Sequence, residues 1–167
     1  MAKMHVHIIK MGGTIEFFDP EYDMIKNLMK LDSTIDYYFR NIIKPHFEWS
    51  TTTLTQKDSR EITDEERGQL AQLISESKYD NFVVTHGTFT MGQTAQFLNK
   101  RSFPGKKIIF TGSMIPLAGF TTSDAGFNLG FAVASFSHVK QGIYLSMNGG
   151  IFSADEVEKN LDLFRFE

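Results

Sequence analysis

Two short segments, Met11-Gly12-Gly13-Thr14-Ile15 and Thr85-His86-Gly87-Thr88-Phe89-Thr90, each follow a stretch that reads as a strand, and each sets a threonine beside glycine. The first follows His5-Val6-His7-Ile8-Ile9-Lys10, an alternating run with two β-branched isoleucines. The second follows Asn81-Phe82-Val83-Val84, a short continuous apolar run of the kind buried parallel strands show. Glycine next to threonine at the carboxyl end of a strand lets backbone amides and a hydroxyl face the same small space. An α/β sheet can build a nucleophile beside an oxyanion site in this way. Strands also end in Gly-Thr for purely local reasons, so two such turns carry more than one.

The rest of the chain alternates in the same style. Asp32 or Ser33 can cap a helix running to about Ile43 and ended by Pro45, and Phe47 to Leu54 reads as a strand. Thr63 with Glu66 forms a capping-box pattern ahead of Leu70, Leu73 and Ile74, the stripe of a helix ending near Ser77. Strand Asn81–Thr85, helix Met91–Arg101, strand Lys107–Thr111, helix Asp124–Ser137 and strand Gly142–Met147 follow. This order predicts one three-layer α/β sandwich, flavodoxin- or Rossmann-like, with a mostly parallel central sheet. In such sheets the ligand crevice lies beyond the carboxyl ends of the strands. Thr14, Thr88 and Ser113 all fall there.

Composition narrows the partners. At 167 residues, with 41% hydrophobic and 22% charged, the chain is long enough for one ordinary core and argues against disorder. A net charge of −3 gives no electrostatic reason to expect a nucleic-acid partner. Without cysteine there is no disulfide framework, thiolate zinc site or thiol nucleophile. The histidines lack metal-ligand spacing: His5 and His7 alternate on a strand, His46 and His138 stand alone, and His86 belongs to the turn. The expectation is therefore no metal and no cofactor. No apolar run approaches the roughly 20 residues a membrane span needs, and the N-terminus lacks a secretory hydrophobic region, so a cytoplasmic protein is expected. Sixteen phenylalanines fill a core, though Phe17 with Phe18 and Phe164 with Phe166 read equally as interface residues.

Gly12-Gly13-Thr14-Ile15, Thr85-His86-Gly87-Thr88-x-Thr90, Phe110-Thr111-Gly112-Ser113-Met114-x-Pro116, Asp124-x-x-Phe127-Asn128-Leu129 and Val157-x-Lys159 stand in order at family spacing. Together they resemble the bacterial-type L-asparaginases over nearly the whole chain, in that family's larger N-terminal domain. The chain stops near Phe166, about where the family's linker would begin. The expectation is one domain over residues 1–167, without the family's C-terminal domain. The resemblance implies hydrolysis of a side-chain amide, L-asparagine to L-aspartate and ammonia or a related amide, through a threonyl acyl-enzyme. It implies Thr14 as nucleophile, Thr88 as the second catalytic threonine and Lys159 as the lysine paired with it. Ser59 matches the loop serine that binds the substrate carboxylate, with Gly13, Arg60, Gly87, Phe89 and Ser113 around the substrate. Backbone groups near Thr88 and Ser113 would hold the oxyanion. Tyr22 falls near the place of the family's flexible-loop tyrosine. A homodimer or higher homo-oligomer is expected.

The departures are specific. The family's His-Gly-Thr-Asp-Thr reads His86-Gly87-Thr88-Phe89-Thr90, so a phenylalanine replaces the carboxylate that receives the ammonium and completes the Thr–Lys–Asp chain. Ile115 stands where many relatives carry arginine, and Arg60 replaces a small or amide residue. Glu16, two residues past Thr14, is either the substitute carboxylate or a solvated turn residue. Asp124 and Asn128 read as a helix cap and a tie between loops. A non-catalytic small-ligand-binding or oligomer-forming domain is the alternative to an amidohydrolase.

Overall fold

Side chains of β1 (His5–Gly12) are buried on both of its faces, which requires a layer above and below. In the computed structural model, which describes residues 3–16, 33–118, 122–163 and 165–167, both layers are helical. Val6 and Ile8 pack with Ile35 and Phe39 of the first helical segment and with Leu129 and Ala132 of the last helix. Ile9 and Met11 pack on the opposite side with Leu70, Ile74, Met91, Ala95 and Leu98.

The central sheet has six strands in the order β2-β1-β3-β4-β5-β6. β2 (Glu48–Lys57), β1, β3 (Asn81–Thr85), β4 (Lys107–Thr111) and β5 (Gly142–Met147) are parallel. β6 (Gly150–Ser153) returns antiparallel to β5 through Asn148 and Gly149, both at positive φ of 55° and 77°. Asn-Gly at two left-handed positions is the preferred tight hairpin connection. A separate two-stranded hairpin, β7 (Lys159–Asn160) with β8 (Arg165–Phe166), closes the chain. Phe166, for which core and interface were both open, is buried in the core at 4% exposure. Phe17, Phe18 and Phe164 lie outside the described residues, as does Asp32.

Ser33 is the cap of the first helix, its hydroxyl accepting from the Asp36 amide. That helix, α1 (Thr34–Tyr37), continues as a π-helical stretch Tyr38–Ile43 ended by Lys44 at φ 48°. The Thr63–Glu66 capping box starts α2 (Asp64–Glu76), with both reciprocal hydrogen bonds formed. α3 (Met91–Asn99) and α4 (Ala125–Ser135) complete the set. β2 runs three residues past the expected Leu54, because its pairing with β1 continues to Lys57.

Strand order explains where a site can form. From β1 the chain steps outward to β2, then crosses the other face to β3 on the opposite side of β1. The carboxyl ends of β1 and β3 thus flank a topological switch point, where a crevice opens. α3 and α4 connect strands that step in the same direction, yet they lie on opposite faces. The β4–α4–β5 crossover therefore has the opposite hand to the other three. Right-handed crossovers are the overwhelming rule, which makes this one left-handed. The loop after β4 leaves the same end of the sheet, with Gly112 against the His86 carbonyl. No helix among the described residues is long and apolar enough to cross a membrane.

Candidate active site

Gly13 sits at φ +79°, and a Cβ built on it would overlap the backbone of Gly87. The two Gly-Thr turns are therefore in direct backbone contact, and a side chain at Gly13 would push them apart. Gly87 is hemmed from the other side, since its own Cβ would come within 2.7 Å of the Ser59 Cβ and Oγ. Thr14 follows as the first residue of a 3-10 turn, half-buried, its hydroxyl without a hydrogen bond among the described residues.

Thr88 is buried, and the Lys159 ammonium donates to its Oγ1 at 2.7 Å. The Thr88 hydroxyl in turn points at the Met114 sulfur, 3.8 Å away. Burial lowers the Lys159 pKa below the ordinary lysine value, because the charged form loses water. Ser59 opens a 3-10 turn after Asp58 and lies buried against the second Gly-Thr turn. Its carbonyl accepts from the Thr90 hydroxyl at 2.6 Å and its Oγ from the Thr90 amide at 3.4 Å. Ser113 is buried after β4, with no partner for its hydroxyl among the described residues. The loop carrying it touches the second turn, since a Cβ on Gly112 would lie 3.5 Å from the Thr88 methyl.

Phe89 is 57% exposed, unusual for so large an apolar side chain. Lys159 Nζ lies 4.6 Å from its ring centre and the Arg60 guanidinium 4.8 Å from it. Cations are drawn to the ring by its quadrupole, so Phe89 forms a neutral contact between them. Arg60 is also chelated by Asp58, through Nε at 3.0 Å and Nη2 at 2.9 Å, which holds the Asp58 pKa at about 2.

The sequence-derived candidates thus divide. Gly13, Gly87, Thr88, Ser59, Phe89, Arg60 and Lys159 come together around one crevice, with Thr14 and Ser113 on its adjoining turns. Glu16 does not join them. Its carboxylate accepts from Ser33 at 2.9 Å and from the Ile35 amide at 3.2 Å, so it anchors the start of α1 rather than replacing the carboxylate at position 89. Burial raises its pKa despite the nearby Lys10, and Lys10 is itself paired with Asp36 at 2.6 Å. Tyr22 lies outside the described residues. Asp124 stands at the N-cap position of α4 but makes no side-chain cap to it, so of its two expected roles, cap and loop tie, the tie is the one it fills. It accepts from the amides of Met114 and Ile115 and from the Asn128 side chain, clamping the loop after β4. Asn128 ties two loops as expected, donating also to Gly112 O in the loop after β4 and accepting from the Asn148 amide in the β5–β6 turn.

His86, read from the sequence as part of the turn, supports it through partners that the sequence does not mark. His86 is fully buried, and its Nδ1 lies 2.8 Å from the Gly87 carbonyl, which can only accept. Nδ1 therefore carries the proton. Burial holds the ring pKa down at about 4, so Nε2 is a bare acceptor for the Thr94 hydroxyl at 2.9 Å. Thr94 Oγ1 accepts in turn from Arg67 Nε at 3.0 Å. The chain Arg67–Thr94–His86–Gly87 runs from α2 through α3 and sets the Gly87 carbonyl.

Residues 5–162 match the family model described as asparaginase, N-terminal. The chain is 36% identical over 115 residues to a glutaminase-asparaginase of Acinetobacter glutaminasificans, covering 65% of this chain and 34% of that protein. It is 33% identical over 134 residues to L-asparaginase 1 of Escherichia coli (strain K12), covering 77% of this chain and 39% of that one. Among solved structures, a probable cytoplasmic L-asparaginase from Campylobacter jejuni superposes with TM-score 0.80 at 29% identity, over 99% of this chain and 53% of that chain. L-asparaginase I from Vibrio cholerae superposes with TM-score 0.76 at 28% identity, over 99% and 51%. The chain thus spans about a third of the length of those curated relatives, up to two-fifths, and about half of the solved chains. With its ordered motifs, its six-stranded sheet and its paired Gly-Thr turns, this chain belongs to the asparaginase family and corresponds to that family's N-terminal domain.

Proposed function

We propose that the chain hydrolyses the side-chain amide of a small carboxylate-bearing molecule and releases ammonia, with L-asparagine as the reference substrate. The observation that carries this reading is the 2.7 Å contact of Lys159 with Thr88, seated against the turn that presents Thr14. Threonine near its free pKa is a poor nucleophile and needs a neighbouring base or cation. In this reading Thr14 Oγ1 attacks the amide carbon, and the C–N bond breaks as the nitrogen takes a proton and leaves as ammonia. Water then cleaves the acyl-threonine. The depressed pKa of Lys159 brings proton exchange through Thr88 closer to neutral pH. Backbone amides around Thr88 and Ser113 face the developing oxyanion, and Ser59 takes the substrate carboxylate. The names of the relatives, glutaminase-asparaginase and L-asparaginase, agree with this chemistry.

Phe89 favours a second reading, a small-ligand-binding domain without turnover. A coupled ammonia assay decides between the two. Thr14→Ala is expected to bring release from asparagine to background with the fold intact, while Thr14→Ser retains part of it. Lys159→Met is expected to lower kcat by roughly 10²–10⁴, the range of a lost proton-transfer group. An alanine variant as active as a parent that releases ammonia above the enzyme-free background would refute Thr14 as nucleophile, and a parent that itself stays at that background would leave the binding reading.

A further inference from the structure

The rim of the crevice is rich in donors and poor in acceptors. Lys159 uses one donor on Thr88, and no carboxylate among the described residues is paired with it. Arg60 keeps Nη1 unused among the described residues, because Asp58 engages only Nε and Nη2. Among the described residues, three carboxylates of the neighbouring segments are committed. Asp58 is spent on the guanidinium and the Arg60 amide, Asp124 on two loop amides and Asn128, and Glu16 on Ser33 and α1. Glu61 lies a third of a turn further round the 3-10 turn than Arg60 and forms no ion pair with it. The ring that faces the crevice already holds two cations within 5 Å of its centre. A third cation laid there would be repelled by both.

We propose that the site prefers amides that carry a carboxylate but no α-ammonium, the half-amides of dicarboxylic acids, with Phe89 and Arg60 setting that preference. This rests on the amidohydrolase reading above. A carboxylate meets the Ser59 hydroxyl, the unused Arg60 nitrogen and the field of Lys159. At position 89 an ammonium meets a neutral ring and the two cations already drawn to it. Charged hydrogen bonds are where such discrimination is strongest, since an unmatched partner is left with its desolvation cost.

Succinamate, which is asparagine without its amino group, gives the test. Ammonia release should show kcat/KM for succinamate at least about tenfold above that for L-asparagine. Phe89→Asp, at an exposed position, should reverse the order. Arg60→Gln should lower kcat/KM for succinamate and leave the ratio nearer one. Asparagine used as well as or better than succinamate by the parent overturns the proposal, and so does a ratio unmoved by both variants. If neither amide releases ammonia, the hydrolase reading fails, and titration calorimetry with succinate and L-aspartate judges the preference alone. Tighter binding of succinate then supports it, whereas tighter aspartate, equal affinities or no binding overturns it.

Discussion

Lowering the pH from 7 to 5 should loosen the Thr88 turn through one residue, His86. In the unfolded chain its imidazole titrates at the ordinary 6.5, and in the folded chain at about 4, because burial and the Arg67 charge disfavour the imidazolium by more than the bond to Gly87 O favours it. Between those values the unfolded chain binds the extra proton. Stability from His86 is therefore complete above pH 6.5 and is lost as the pH falls toward 4. The full separation corresponds to about 3 kcal/mol, of which about 2 kcal/mol disappears between pH 7 and pH 5. Protonated Nε2 would also meet the hydroxyl hydrogen that Thr94 aims at it while its oxygen accepts from Arg67. His86→Gln has no titrating group and can still donate to Gly87 O. Urea unfolding, followed by the fluorescence of the single tryptophan, Trp49 on β2, measures both proteins. His7, lowered by burial, and Glu16, raised by burial, titrate in both and drop out of the difference. The parent should lose about 2 kcal/mol more than the variant over this interval. Equal losses would refute the argument, and a parent that gains stability relative to the variant on acidification would reverse its sign.

Two further outcomes follow from the same packing. Gly13→Ala places a side chain at φ +79° and into the Gly87 backbone, so it should cost at least about 3 kcal/mol and abolish amide release together with stability. Thermal unfolding within a few tenths of a kcal/mol of the parent would show that the turns are not packed as described. The homo-oligomer expected from sequence is a proposal for light scattering. Phe127, 61% exposed and stacked on Phe131, is a fitting anchor on α4, and a monomer at tens of micromolar would count against it.

Much of the architecture was local and so could be read from the chain. The apolar run before Thr85 and the Thr63–Glu66 box depend on residues within a few positions of one another, and both formed as read. Even β6 had a local signal, the Asn148-Gly149 pair between Met147 and Gly150. Thr14 and Thr88 were placed at strand ends by the same short-range logic. Direction and partnership were not local. Glu16 turned toward Ser33 and α1 because α1 packs on that face of β1, a fact of layer geometry that two residues of spacing from Thr14 cannot carry. The left-handed passage through α4 likewise has no mark in the residues of α4. Lys159 and Thr88 stand 71 positions apart, and the family likeness alone named them as partners. Folding brings β7 over the end of β3, Arg60 and Lys159 onto the ring of Phe89, and Arg67 behind His86. Amino-acid identity decided which groups could ionise, donate or accept. Tertiary packing decided which of them would meet, because the energy of a charge or a hydrogen bond depends on the partner and the dielectric that the fold supplies.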